Sequence, residues 1–219
     1  MAVQAVLFDW GGTLVGFEWD DALVEVGVRA GLGRDDPEFV ARWRTAMLGG
    51  GHGFRPYGDI LRELGVDDPD AFIDAEHAVW RPRHAVLASA RALLETLRGH
   101  GIKTGVVANA WPEPGRLLRA DAEAFGLADV LDVLVASDDV GARKPAPEIF
   151  LHACRKLAVE PEAVVFVGDG LEADVQGAAN MGMTTVQAVW FRADDTPGIE
   201  PDFLALTAMD VLNAVRRIA

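Results

Sequence analysis

Short runs of consecutive apolar residues alternate, along most of the chain, with longer segments in which apolar residues recur at helical spacing. Runs of this length that end at Gly, Asp or Asn are typical of strands buried on both faces of a sheet. The pattern predicts five strands, at residues 3–8, 103–107, 130–136, 164–167 and 185–189. Helices are predicted at residues 89–98, 148–157, 175–181 and 209–218. Strands that alternate with helices indicate an α/β fold with a Rossmann-like parallel sheet core.

The segment of residues 16–83 interrupts this alternation. Its apolar spacing predicts no strand, and it predicts helices at residues 21–29, 37–47, 57–64 and 70–80. We therefore expect a core made of residues 1–15 and 84–219, with residues 16–83 inserted as a helical cap. Ligands of open parallel sheets bind beyond the carboxyl ends of the strands, so we expect the cap to cover that edge.

Composition narrows the classes of partner. The chain has 219 residues and a formal net charge of −14, with a sequence pI near 4.7. Such a surface repels phosphate backbones and anionic membranes, which argues against nucleic-acid and membrane partners. A single cysteine, Cys154, and the absence of a recognisable leader predict a cytoplasmic protein. Oligomeric state is left open.

Four of the predicted strands are followed by segments that carry polar residues. The segments are Asp9 to Thr13 after the first strand, Ala108 and Asn109 after the second, Ser137 to Pro145 with Lys144 after the third, and Gly168 to Asp174 with Asp169 after the fourth. Two acidic strand ends beside a lysine predict a site for a hard cation next to a docking point for an anion. Oxygen ligands of this kind suit Mg²⁺.

In this order the motifs resemble the haloacid dehalogenase-like (HAD) hydrolases, in the branch whose helical cap follows the first motif. The resemblance covers essentially the whole chain. It implies that Asp9 attacks phosphorus to give an aspartyl phosphate, which water then hydrolyses. It also implies that Mg²⁺ is held by Asp9, Asp169 and the backbone carbonyl of Gly11, with Asp174 ligating through water or orienting the other ligands. Lys144 would neutralise charge on Asp9 and on the phosphoryl group.

Two positions depart from the pattern of the family's phosphatases. Gly11 stands where a second Asp usually acts as general acid and base, and Ala108 stands where a Ser or Thr usually binds the phosphoryl group. Thr13, Asn109 and backbone N–H groups remain as candidate donors to the phosphoryl group. Positioned acid–base catalysis is commonly worth about 10²–10⁴ in rate. We therefore expect a small phosphorylated metabolite whose leaving group needs little protonation, such as an acyl, aryl or anomeric sugar phosphate.

The predicted cap offers other candidate groups. Glu18, Asp20 and His52 could supply a proton in place of the missing carboxyl. His52 and Arg55 lie in or beside the glycine-rich stretch 49–53, and they are predicted to contact substrate unless the stretch is an ordinary surface loop.

Plain structural roles and other activities compete with this interpretation. Asp9 could be a turn residue, Thr13 a cap, and Asp174 the N-cap of the helix predicted at 175–181. A weak or inactive ligand-binding protein is the main alternative, and a 2-haloacid dehalogenase is another. Phosphonoacetaldehyde hydrolases are set aside because they need a lysine in the cap, and no lysine lies at residues 16–83.

Overall fold

The computed structural model describes residues 2–17, 20–48, 54–110 and 113–218, and the chain divides into two compact units. The first, which we call the sheet unit, comprises Met1–Gly16, Val86–Ala110 and Gly115–Ala219. The second, the helical unit, comprises Phe17–Ala85 and Trp111–Pro114.

The sheet unit is built on six parallel strands, which confirms the predicted α/β class. Their bounds are β1 (Ala5–Phe8), β4 (Lys103–Ala108), β5 (Val133–Ala136), β6 (Val164–Gly168), β7 (Thr184–Ala188) and β8 (Phe203–Ala205). The strand order is β5-β4-β1-β6-β7-β8, so the first strand lies in the middle of the sheet. Two further short strands, β2 (Val15–Phe17) and β3 (His84–Val86), form a separate two-stranded sheet. The apolar pattern did not predict β2, β3 or β8, which have three residues each.

Both faces of the six-stranded sheet are buried. Successive residues of β1 point to opposite faces, so Val6 and Phe8 enter one apolar cluster while Ala5 and Leu7 enter the other. The helices of this unit are α5 (Ala90–Gly99), α6 (Gly115–Ala124), α7 (Ser137–Val140), α8 (Pro147–Leu157), α9 (Gly177–Ala179) and α10 (Ala208–Ile218). Residues of α5, α6 and α10 cover the first face, and residues of α8 and α9 cover the second. Within the described ranges, no helix combines the length and the apolar character needed to cross a membrane.

The segment after β6 differs from its prediction. In place of one helix at 175–181, a π-helical turn spans Leu171–Gln176 and the short α9 follows it. Asp174 lies inside this turn, and Gly170 occupies the N-cap position. The interpretation of Asp174 as an N-cap is therefore wrong. Its carboxylate folds back to accept a hydrogen bond from the backbone N–H of Gly170 at 2.9 Å, which fits the occurrence of π-helical turns at functional sites.

The described part of the helical unit contains four α-helices and a chain of buried polar side chains. The helices are α1 (Asp21–Leu32), α2 (Pro37–Leu48), α3 (Tyr57–Glu63) and α4 (Pro69–Trp80). Trp43 donates through Nε1 to the Tyr57 hydroxyl at 2.7 Å, and that hydroxyl donates to Glu76 Oε2 at 2.9 Å. The other carboxyl oxygen of Glu76 is buried and finds no hydrogen-bond partner within the described ranges.

Burial raises the pKa of Glu76 to about 8, in spite of the lowering effect of the Tyr57 hydrogen bond; the negative charge of Glu113 adds to the increase and His77 opposes it. The folded state therefore keeps a proton that the unfolded state loses above its ordinary pKa of 4.5. The contribution of Glu76 to the free energy of unfolding is therefore greatest below about pH 4.5, falls as pH rises towards 8, and then levels off.

We predict that Glu76→Gln becomes more stable relative to the wild type as pH rises from about 5 to 8, because an amide carries no charge to bury. The gain should reach at least about 1 kcal/mol, or ~2–4 °C in Tm for a chain of this size. Thermal unfolding at several pH values measures it. Glu63→Gln is the matched control, because Glu63 is an exposed glutamate of the same unit. Parallel pH profiles for Glu76→Gln and the wild type would refute the prediction.

Candidate active site

The strand ends of β1 and β6 bring two carboxylates to one edge of the sheet. Phe8 and Val167 are partners in the parallel register, and the backbone N–H of Asp9 donates to the carbonyl of Val167 at 2.8 Å. Asp9 and Asp169 each follow the last residue of their strand directly. The alignment of these two strands therefore places both side chains at the carboxyl edge, where parallel sheets bind their ligands.

Lys144 joins Asp9 to a third carboxylate, that of Asp174. Its Nζ lies 2.5 Å from Asp9 Oδ1 and 2.7 Å from Asp174 Oδ1, and only 2% of its side chain is exposed. A buried lysine of this kind fixes the two carboxylates that it bridges. Its positive charge lies beside Asp9, where it can stabilise negative charge on a group bound to that side chain.

Asn109 holds the backbone of Lys144. Its Oδ1 accepts from the Lys144 N–H at 2.7 Å, and its Nδ2 donates to the Lys144 carbonyl at 3.1 Å. Both ends of the amide are thus used to position the lysine. That Asn109 also contacts a substrate stays a prediction.

Burial is the largest single influence on the pKa of Asp9, Asp169 and Lys144. It raises the pKa of Asp9 to about 7 against the lowering effect of Lys144, and the nearby Asp174 and Asp169 carboxylates raise it further. Burial also raises the pKa of Asp169. Burial opposes the charge of Lys144, but Asp174 and Asp9 outweigh it, so the pKa of the lysine lies above its ordinary value. One buried cation thus faces three carboxylates, and a further cation would favour their ionised form.

The donor set fits a hard divalent cation such as Mg²⁺. One carboxylate oxygen from each of Asp9, Asp169 and Asp174 lies within 4.8 Å of the others. Two glycines allow this approach: a Cβ at Gly12, whose φ is +83°, would lie 2.2 Å from Asp169 Oδ2, and a Cβ at Gly168 would lie 2.4 Å from the Asp174 side chain. Oxygen ligands in a close group are what Mg²⁺ requires.

The hydroxyl of Thr13 is a further unused group in the loop after β1. Its Oγ1 is buried and has no hydrogen-bond partner among the described residues. A buried hydroxyl without a partner is costly, which favours the prediction that Thr13 binds an additional group over a purely structural cap.

Position 11 carries no side chain and has room for one. A Cβ at Gly11 would meet no atom of the described residues within 4 Å, and Gly11 is not among the residues with a positive φ. At the end of β4, Ala108 is buried and offers no hydroxyl. The structure therefore leaves open space where a general acid could stand.

The remaining predicted site residues fall in the helical unit. Arg55 pairs with Glu63, with Nη2 and Oε1 2.6 Å apart, and both side chains are exposed. Asp20 is the N-cap of α1 and accepts from the backbone N–H of Ala22 at 2.9 Å. Glu18 and His52 lie outside the described residues. Their predicted roles stay predictions.

Sequence reasoning missed one charged residue of this site. Arg192, in the segment after β7, forms an ion pair with Asp169. No spacing or motif around Arg192 points to such a contact, because the segment lacks regular secondary structure.

Comparison with known proteins matches most of the chain to one family. A family model for haloacid dehalogenase-like hydrolases matches residues 3–182. The glyceraldehyde 3-phosphate phosphatase of Methanopyrus kandleri is 30% identical over 90% of this chain and 87% of its own. The N-acetylmuramic acid 6-phosphate phosphatase of Pseudomonas aeruginosa is 31% identical, again over 90% of this chain and 87% of its own.

Solved structures share the fold. The crystal structure of a HAD phosphatase from Thermococcus onnurineus has a TM-score of 0.75 and 28% identity, covering 97% of this chain and 98% of its own. The 2-haloacid dehalogenase of Pseudomonas syringae has a TM-score of 0.71 at 23% identity, covering 99% of this chain and 100% of its own. At that identity the second likeness shows the fold alone.

Proposed function

The chain belongs to the haloacid dehalogenase-like hydrolase family, and from that premise we propose that it is a Mg²⁺-dependent phosphatase of a small phosphorylated metabolite that uses Asp9 as its nucleophile. The observation that carries the proposal is the buried group of Asp9, Asp169 and Asp174 around Lys144 at one edge of the sheet. A dehalogenase has no need for three buried carboxylates that suit a metal, so this group favours phosphate chemistry.

The relatives support the same class of substrate. Two relatives that match 90% of this chain are named as phosphatases of glyceraldehyde 3-phosphate and of N-acetylmuramic acid 6-phosphate. Both named substrates are small phosphorylated metabolites. We take from them the class and not the individual compound.

In the proposed reaction, an Asp9 carboxylate oxygen attacks phosphorus and the bond from phosphorus to the leaving oxygen breaks. The leaving oxygen must then gain a proton. Water next attacks the phosphoryl group on Asp9, which restores the carboxylate and releases inorganic phosphate. Lys144 holds Asp9 in place and stabilises the negative charge of the phosphoryl oxygens.

Asp9, Asp169 and the Gly11 carbonyl would hold the metal, with Asp174 as a direct or indirect ligand. When bound, Mg²⁺ supplies positive charge against the phosphoryl oxygens. The hydroxyl of Thr13 is available as a donor to the same group.

The range of substrates depends on which group can donate a proton to the leaving oxygen. Since position 11 has no carboxyl, the site favours acyl, aryl or anomeric sugar phosphates, whose leaving groups need little protonation. Glu18, Asp20 and His52 are the candidates to supply a proton for poorer leaving groups. We further propose that the helical unit serves as the cap and that His52 and Arg55 contact substrate.

A second candidate function rests on Gly11 and Ala108. Without a carboxyl at position 11 and a hydroxyl at position 108, the site could bind a phosphorylated ligand and hydrolyse it slowly or not at all. Retention of the three carboxylates and Lys144 favours the enzyme.

Phosphate release from a panel of phosphate esters tests the proposal. The panel holds acetyl phosphate, an aryl phosphate, sugar 1-phosphates and alkyl phosphates, each assayed with Mg²⁺ and with excess EDTA. We expect release with Mg²⁺ and loss of at least about 10²-fold with EDTA, since the metal supplies much of the charge stabilisation. Release that is equal with and without EDTA contradicts the metal requirement. Binding of fluoroberyllate without turnover of any ester would support the second candidate.

A further inference from the structure

Arg192 forms an ion pair in which one partner is buried and the other is solvated. Its Nε donates to Asp169 Oδ2. The Asp169 side chain is 3% exposed, whereas the Arg192 side chain is 65% exposed. The guanidinium therefore reaches in from solvent to a carboxylate that is otherwise enclosed.

Hydrogen bonds hold the residues around Arg192 against the segments that follow β1 and β6. Trp190 Nε1 donates to the Thr13 carbonyl at 2.8 Å. Asp194 accepts from the Leu171 N–H at 2.8 Å through its carboxylate, and from Gln187 Nε2 at 2.7 Å through its backbone carbonyl. These contacts fix the residues that flank Arg192. The Arg192 side chain can therefore leave Asp169 while the backbone on either side of it stays in place.

Lys144 and Arg192 contact different carboxylates of the site. Lys144 contacts Asp9 and Asp174 and is 2% exposed, whereas Arg192 contacts Asp169. A metal ion bound to Asp169 competes with Arg192 for the negative charge of this carboxylate, one oxygen of which Arg192 holds. Displacing Arg192 costs less than displacing Lys144, because the freed guanidinium returns to water while the ammonium would stay buried.

We propose that Arg192 is a displaceable counter-ion for Asp169, which occupies this carboxylate when no divalent cation is bound and thereby lowers the affinity of the site for Mg²⁺. The inference rests on the proposed metal site. It gives Arg192 a positioning role, in which the residue acts through Asp169 and not on the substrate.

Calorimetric titration with Mg²⁺ and with Mn²⁺, in the absence of substrate, tests the inference. Arg192→Gln is expected to tighten the Kd about tenfold, the scale of one removed charge competitor near a protein surface. A merely structural role predicts the opposite sign, because a disordered site binds metal more weakly. Arg217→Gln is the matched control: it removes an exposed arginine of α10, and its Kd should stay within about twofold of the wild type. Asp169→Asn removes the shared carboxylate, and in that background Arg192→Gln should no longer tighten binding.

The outcomes separate this inference from the proposed function. If the wild type binds metal and releases phosphate but Arg192→Gln binds with the same or weaker affinity, the inference fails and the proposed function stands. An equal gain in Arg217→Gln also overturns the inference, because the effect is then one of net charge. If the wild type binds neither cation, both fail.

Discussion

Asp9→Asn is expected to lower phosphate release at least ~10³-fold on every ester that the wild type hydrolyses. The amide has nearly the same shape as the carboxylate, but it is a poor nucleophile. Its Oδ1 can still accept the hydrogen bond that Lys144 donates to Asp9 at 2.5 Å. The change therefore removes the attacking group and keeps the geometry around it.

The same substitution should leave the fold intact. Burial raises the pKa of Asp9, so ionising this group at neutral pH costs stability in the metal-free protein. Removing the charge should leave Tm unchanged or raise it, and the difference from the wild type should grow as pH rises from about 4 to 7. Asp129→Asn is the matched control, because Asp129 is an exposed aspartate paired with Arg91, and it should keep full activity. An Asp9→Asn protein that folds and retains activity within tenfold of the wild type would exclude Asp9 as the nucleophile.

The second large effect is a gain of function. Gly11→Asp is expected to raise kcat/KM for unactivated alkyl phosphates by about 10²–10⁴, the usual worth of a positioned general acid and base. Space permits it in the described part of the chain, since a Cβ at Gly11 meets nothing there within 4 Å. For acetyl and aryl phosphates the gain should stay below about tenfold, because their leaving groups depart without much protonation.

Gly11→Asn separates proton transfer from simple filling of space. The amide has the size of the carboxylate and cannot act as an acid or base near neutral pH, so this variant should stay close to the wild type on every ester. Equal gains in Gly11→Asp and Gly11→Asn would show that proton transfer is not what the wild type lacks. High wild-type activity on alkyl phosphates would show that another group, such as Glu18, Asp20 or His52, supplies the proton.

The parts of the fold that follow from apolar runs could be predicted from the sequence. A strand buried on both faces must be apolar at nearly every position, and β1 and β6 satisfy this condition. In β4 the residues after Lys103 and Thr104 satisfy it. Because parallel strands end at one edge, predicting these strands also predicted that Asp9 and Asp169 lie together. The structure adds that the backbone approaches the Asp169 and Asp174 side chains closely at Gly12 and Gly168.

Features that depend on contacts between distant segments could not be predicted. The π-helical turn at Leu171–Gln176 contains Asp174, whose carboxylate contacts Lys144, 30 residues away, as well as the nearby Gly170 N–H. The Asn109 amide is engaged by a backbone 35 residues away. Arg192 meets Asp169 from a segment without a repeating pattern. Contacts of this kind produce no repeating pattern of apolar and polar residues in the sequence.

The most direct test of the central claim is to identify the covalent phosphoryl group. The wild type is mixed with acetyl phosphate and Mg²⁺, quenched in acid within milliseconds to seconds, and mapped by mass spectrometry of its peptides. The account predicts one phosphoryl group on Asp9 that is absent in Asp9→Asn and absent with EDTA. Turnover without a phosphoryl group on Asp9, or with the group on another residue, would contradict it.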